Sequence, residues 1–170
     1  MQSGNNTQIF LELINQHKGI IHKATKMYMN QLEDQEDLFQ EIVGQLWKAY
    51  PTFKGNSKFS TWMYRVALNT AIVFFKKEHK KLDKISLDHE FDIADINDNS
   101  HEKEEKLAYL YKAVRELNPI EKALIFLYLE DLSHKEIAEN LGISEINARV
   151  KLSRTKEKLQ QIIKNNGYEF

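Results

Sequence analysis

Arg149, Lys151, Arg154, Lys156 and Lys158 crowd into ten residues, with Asn147 and Ser153 among them. A guanidinium pairs bidentately with a guanine edge, and lysine and serine reach phosphate oxygens, so this set can hold nucleic acid. A solvated basic helix face has the same composition, and the run decides nothing by itself. Its flanks decide. Ser144 stands where it caps a helix with the apolar stripe Ala148, Leu152, Thr155, Leu159 and Ile162. Before it, Ser133-His134-Lys135-Glu136 spells a capping box, and Ile137 to Leu141 make a short helix with the small Ala138 where a neighbour comes close. Gly142 suits the tight turn between them. Two short capped helices joined by such a turn form a helix-turn-helix, whose second helix enters the DNA major groove with its N-terminal residues on base edges.

The elements that must position this unit are helical. Only 2 prolines and 6 glycines punctuate 170 residues, which favours long helices over many-turned β architecture. Asn118-Pro119-Ile120-Glu121 predicts another helix start, preceded by the stripe Leu107, Leu110, Val114 and Leu117. The N-terminal half reads as three helices. The first is expected from about Thr7, a candidate N-cap, through Ile9, Leu13, Ile20, Ile21 and Met27. Asp34 and Asp37 open the second, where carboxylates suit the positive end of the helix dipole; its apolar positions are Leu38, Ile42 and Leu46, with Phe39, Val43 and Trp47 one step around. Pro51 and Gly55 break the chain, and a third helix is expected from about Lys58 to Lys81 with two apolar stripes. One stripe is Phe59, Trp62, Val66, Thr70 and Val73; the other is Met63, Ala67 and Phe74.

Charge divides the chain further. The net charge of −1 hides residues 76–84 with five basic and two acidic side chains, and residues 85–105 with eight acidic and one basic. Residues 132–164 return to seven basic against four acidic. Phosphate binding depends on such local charge, so near-neutrality excludes no nucleic-acid partner. The expectation is an all-α chain of two small domains, 1–82 and 105–170, joined by a flexible acidic linker at 83–104. With 42% apolar and 29% charged residues, global disorder is not expected. The absence of cysteine removes disulfides and cysteine-built zinc sites. No apolar run is long enough for a membrane span, Met1 to Gln8 lack signal-peptide character, and a cytoplasmic location is the default expectation.

Enzymatic signatures are missing. There is no G-x-G-x-x-G, Walker or G-x-S-x-G pattern, and His17 and His22, five apart, are ill spaced for shared metal ligation and expected to be solvated. No catalytic residue, metal or cofactor is expected.

Ser133 to Arg154, SHKEIAENLGISEINARVKLSR, resembles region 4 of bacterial sigma factors. Glu36 to Tyr50, EDLFQEIVGQLWKAY, followed by FKGNSKFSTWMYRVALNTA, is similar to region 2 of their extracytoplasmic-function branch. The resemblance runs over residues 7–164 in the family's order. It implies a promoter-specificity subunit of RNA polymerase. On that resemblance Asp37, Gln40, Glu41 and Gln45 face the clamp helices of the largest polymerase subunit, and region 4 meets the flap of the second largest. The loop Phe53, Lys54, Gly55, Asn56 and Ser57, with Asn69, matches positions that hold a flipped base of the minus-ten element, while Lys76 and Lys77, with Lys80 and Lys81 beyond, track phosphates. An aromatic wall and an amide suit an unstacked base; Phe53 as a loop anchor is the competing reading, and Trp62 reads as packing between helices rather than stacking on DNA. Ser144, Asn147, Arg149, Val150, Lys151, Ser153 and Arg154 fall to the minus-thirty-five element. Val150 replaces a commonly small polar residue, Lys151 stands where Arg is frequent, and KKEHKK replaces an arginine-rich run. The resemblance also implies an anti-sigma factor as a regulator. The alternatives are a stand-alone helix-turn-helix regulator with an N-terminal helical sensor or dimerisation module, and a helical protein that masks a partner.

Overall fold

In the computed structural model, residues 2–85 and 102–167 are described. Seven α-helices account for nearly all of them: α1 Gln2–Tyr28, α2 Leu32–Ala49, α3 Phe59–Ile85, α4 Glu102–Arg115, α5 Pro119–Leu129, α6 His134–Leu141 and α7 Glu145–Asn165, with a single 3-10 turn at Tyr50–Thr52. No strand occurs among the described residues.

The first three helices pack on one another because each offers a stripe at helical spacing. Leu38, Ile42 and Leu46 of α2 are fully buried, against Phe10, Ile14, Ile21, Ala24 and Met27 of α1. On α3 the core takes Met63 and Ala67 of the second expected stripe, with Ala71, which neither stripe included, equally inaccessible; Phe74 of that stripe is half-buried, and Val73 of the first is 53% exposed. Pro51 falls in the 3-10 turn, and Gly55 takes a left-handed φ of 75°, which lets the loop reverse into α3.

Two expected helix starts are corrected. α1 begins five residues before Thr7, whose hydroxyl donates to the Ser3 carbonyl at 2.9 Å inside the helix rather than capping it. α2 starts at Leu32 after Gln31, which makes no side-chain cap; Glu33 and Asp34 occupy its first turn. Gln35 anchors this turn by donating to the Met29 carbonyl at 3.0 Å. His17 is half-buried rather than solvated, with its ring 5.4 Å from that of Phe59 and Nδ1 2.9 Å from the Leu13 carbonyl.

The C-terminal caps form as the sequence spells them. The Asn118 side chain accepts from the Glu121 amide at 2.9 Å and the Glu121 carboxylate accepts from the Asn118 amide at 3.0 Å. Ser133 and Glu136 exchange the same pair of bonds at 3.2 and 2.8 Å. Gly142 ends α6 in the left-handed region at φ 68°, and the Ser144 hydroxyl accepts from the Asn147 amide at 3.1 Å. α5 is the central strut, with Lys122 through Leu127 all buried.

The N- and C-terminal helices also meet one another. Tyr28 of α1 donates its hydroxyl to the Pro119 carbonyl at 2.8 Å, and Arg115 donates to the Lys26 carbonyl at 2.9 Å and to Asn30 at 3.1 Å. Glu130 receives Lys23 at 2.9 Å and Tyr64 at 3.2 Å, and Arg65 of α3 donates to the Glu139 carbonyl of α6 at 2.6 Å. Lys122 enters from α5 with its ammonium 4.0 Å from the Phe75 ring centre and 5.3 Å from that of Tyr28. The two halves therefore share one interface, which the expectation of separate domains did not include. The expected linker bounds of 83–104 also shift, since helix occupies 83–85 and 102–104; residues 86–101 of that stretch lie outside the described residues.

Candidate nucleic-acid interface

α7 buries Ala148, Leu152, Thr155 and Leu159 against the other helices and leaves the remainder of its first three turns exposed. Ser144, Asn147, Arg149, Val150, Lys151, Ser153 and Arg154 all lie on this open surface. The helix N-terminus is free, so its first turn can enter a groove. Arg149 is engaged only by Glu145, one turn back at 3.3 Å, with both side chains at least half exposed. An exposed pair of this kind is worth little, and a base edge can displace it.

Lys156 and Lys158 have other work. The Lys156 ammonium sits 3.9 Å from the ring centre of Tyr128, and Lys158 bridges to Glu121 at 3.0 Å. Both charges tie α7 to α5. Their partners lie 28 and 37 residues away in sequence, so no local pattern announces the pairing.

A second open surface runs along α3. Arg65, Asn69, Val73, Lys76 and Lys77 are exposed and recur at helical spacing, forming one stripe. At its N-terminal end, Lys54, Gly55, Asn56 and Ser57 make an exposed loop beside Phe53. Phe53 is half-buried, its ring 5.2 Å from Trp62 and 5.7 Å from Phe59, and Trp62 in turn lies 5.4 Å from Phe59. Phe53 thus anchors the loop while keeping part of its surface open, and Trp62 packs in the aromatic cluster as expected. Arg65, absent from the sequence reading, is the first residue of the stripe, at the same end as the loop, and is held by α6.

A third surface lies on α2. Asp37, Gln40 and Glu41 are exposed, and half-buried Gln45 donates to Glu41 at 3.0 Å, which orders this polar face. Beside it, Phe10, Leu11, Phe39, Val43 and Trp47 line an open apolar groove between α1 and α2. Leu11 at 58% and Trp47 at 45% exposure are the parts of this surface that sequence reading missed, because their spacing matches core positions equally well. Burial first, and then the nearby carboxylates Glu78, Asp37 and Glu33, push the Asp34 carboxyl above the usual range.

Between the halves, burial lowers the Lys122 ammonium to about 8, with Arg115 adding to the effect, and no hydrogen-bond acceptor meets its Nζ. Burial and the Glu130 carboxylate raise Tyr64 to about 12. No described helix is long and apolar enough to cross a membrane.

Comparison with known proteins converges on one family. Residues 13–81 match Sigma-70 region 2, and residues 107–159 match Sigma-70 region 4. The chain is 28% identical over 150 residues to the RNA polymerase sigma factor SigZ of Bacillus subtilis, covering 84% of this chain and 82% of that one. It is 26% identical over 157 residues to the ECF RNA polymerase sigma factor SigG of Mycobacterium tuberculosis, covering 77% of this chain but only 42% of that longer protein. Among solved structures, the sigma factor RpoE in complex with the anti-sigma factor NepR from Bartonella quintana has the same fold, with a TM-score of 0.73 at 17% identity over 92% of this chain and 98% of that one. The two regional matches together span well over half of the chain, in the order region 2 then region 4, and the chain belongs to the sigma-70 family, in its extracytoplasmic-function branch.

Proposed function

We propose that the chain is a sigma factor that binds core RNA polymerase, recognises the minus-thirty-five and minus-ten promoter elements and directs transcription initiation, with an anti-sigma factor holding it in check. The observation that carries this reading is the presence, on one chain of this family, of two open surfaces with exposed basic side chains, on α7 and α3, and a separate polar face on α2. α7 enters the major groove of the minus-thirty-five element through the surface of Arg149, Ser153 and Arg154, and its middle is braced against α5 by Lys156 and Lys158. Phe53 supplies a wall and Asn69 an amide for an unstacked base of the minus-ten element, and Lys76 and Lys77 take neighbouring phosphates. Asp37, Gln40, Glu41 and Gln45 meet the polymerase clamp helices, and region 4 meets the flap. The chain contributes no reactive group: it is no enzyme, and bond formation belongs to the polymerase. Its place of action is the cytoplasm.

Geometry adds a requirement. The two elements lie about 25 base pairs apart by name, or roughly 85 Å along B-form DNA at ~3.4 Å per pair. α3 contacts α6 and α6 contacts α7, so the two DNA-facing helices stand about two helix-packing distances apart, roughly 20 Å. Both elements cannot be held in this arrangement, and the halves part on a promoter. The 16 residues from 86 to 101 can span about 55 Å when extended.

The test is run-off transcription with core polymerase on a promoter library, beside binding of the chain alone to the same duplexes. Sequence-dependent transcripts that require both chain and core enzyme are expected. Tight, sequence-specific duplex binding by the chain alone, with no transcription, would instead establish the stand-alone regulator.

A further inference from the structure

Of the large apolar side chains left on the surface among the described residues, Ile146 is the most exposed, at 78%, and Val150 one turn later is 40% exposed. A single exposed isoleucine is ordinary on a protein surface; its position on α7 is what matters here. The core side of this helix is marked by Ala148, Leu152 and Thr155. With ~3.6 residues per turn, Ile146 and Val150 fall on the opposite side, close to its centre line, with Ser153 and Arg154 about 50° to either side of it. Arg149 falls on one flank of that line and Lys151 on the other. The side chains that point furthest from the protein are thus aliphatic, with cations to either side. When such a helix lies in a major groove, its centre line faces the base edges and its flanks face the two phosphate walls. The only apolar group on a base edge in the major groove is the thymine methyl.

We infer that Ile146 and Val150 determine promoter specificity by packing against a thymine methyl of the minus-thirty-five element. This rests on the proposed function and deepens it by naming what the helix reads. Arg149 then contacts an adjacent base or the wall rather than the groove floor beneath the centre line. The same line bounds the reading segment. Glu157, exposed and seven residues beyond Val150, returns to it with a negative charge that DNA repels, so base contact ends before that turn. The capped start at Ser144 fixes the other limit.

The experiment uses the full chain with core polymerase. A minus-thirty-five library identifies the preferred element, and each of its thymines, on either strand, is then replaced singly by deoxyuridine, which removes only the methyl group. At one or two adjacent positions transcription by the unaltered chain is expected to fall about four-fold per methyl. Ile146→Ala or Val150→Ala, with an unchanged melting curve, is expected to erase that difference between thymine and uracil. A preferred element without thymine, indifference of the unaltered chain to every uracil, or full methyl sensitivity in both variants overturns the inference and leaves the sigma-factor reading standing. Absence of transcript from every template overturns both.

Discussion

Lys122→Met tests how the two halves hold together. The lysine is fully buried between α5, α1 and α3, its ammonium faces the Phe75 and Tyr28 rings, and no acceptor meets it. Arg115 adds a like charge from α4, and the Tyr28 hydroxyl is itself raised by burial and committed to the Pro119 carbonyl. Parting the halves returns the ammonium to water. Its affinity for a proton is then higher in the open form, at the ordinary 10.5, than in the closed one, at about 8. Protonation therefore favours opening. The closed form carries no such penalty above pH 10.5, and the penalty grows as pH falls to about 8 and is constant below. Its full size is about 3 kcal/mol, reduced by the attraction of the rings for the cation. Methionine has similar length and no charge, and replacing an unpaired buried cation in this way is expected to stabilise the closed form by about 1–3 kcal/mol. Because the chain has no cysteine, Lys18→Cys and Lys135→Cys place two dyes cleanly on exposed sites of α1 and α6. Energy transfer in the parent should decline as pH falls from 10.5 to 8, and Lys122→Met should show higher transfer with no such decline. Equal transfer and equal pH profiles, or a more open variant, would refute the argument.

Asp37→Lys with Glu41→Lys reverses the charge of one exposed face of α2 and should abolish core polymerase binding in a pull-down while circular dichroism stays unchanged; retained binding would mean the contact lies elsewhere. Arg149→Ala should cost about 1–3 kcal/mol of promoter discrimination and relax preference at one or two positions, read from a minus-thirty-five library. Lys158→Ala removes a half-exposed bridge to Glu121, so it should lower stability by at most about 1 kcal/mol in urea and leave the salt dependence of promoter binding unchanged. Ser133→Ala removes the hydroxyl that accepts the Glu136 amide at the start of α6 and should cost about 0.5–2 kcal/mol in the same denaturation assay.

The helix-turn-helix was legible because its determinants are local. Asn118 with Glu121, Ser133 with Glu136, and Ser144 with the Asn147 amide each act across three residues, and the structure contains all of these bonds. The buried stripe of α2 was legible for a similar reason, since a four-residue repeat states which side is apolar. α3 was ambiguous because it carries two stripes, and only packing against α1 and α2 selects Met63, Ala67 and Ala71 for the core. The start of α1 was missed because Gln2 to Asn6 carry polar residues that suit a loop or a helix equally well, and threonine inside a helix can satisfy its hydroxyl on the preceding turn.

Charge was the least legible property. Lys122 is a basic side chain at the start of an apolar helix, and its sequence surroundings give no sign that aromatic rings of two distant helices enclose it. Lys156 and Lys158 look like continuations of the exposed basic set of Arg149, Lys151 and Arg154 until Tyr128 and Glu121 are brought beside them. The family, the helical class and the recognition helix thus come from sequence, because caps, periodicity and motif spacing act over a few residues. Which lysines stay on an open surface and which hold the fold, and that the two halves share an interface, come only from tertiary structure. Those outcomes depend on pairs up to 107 residues apart, as with Lys23 and Glu130, whose meeting no local pattern encodes.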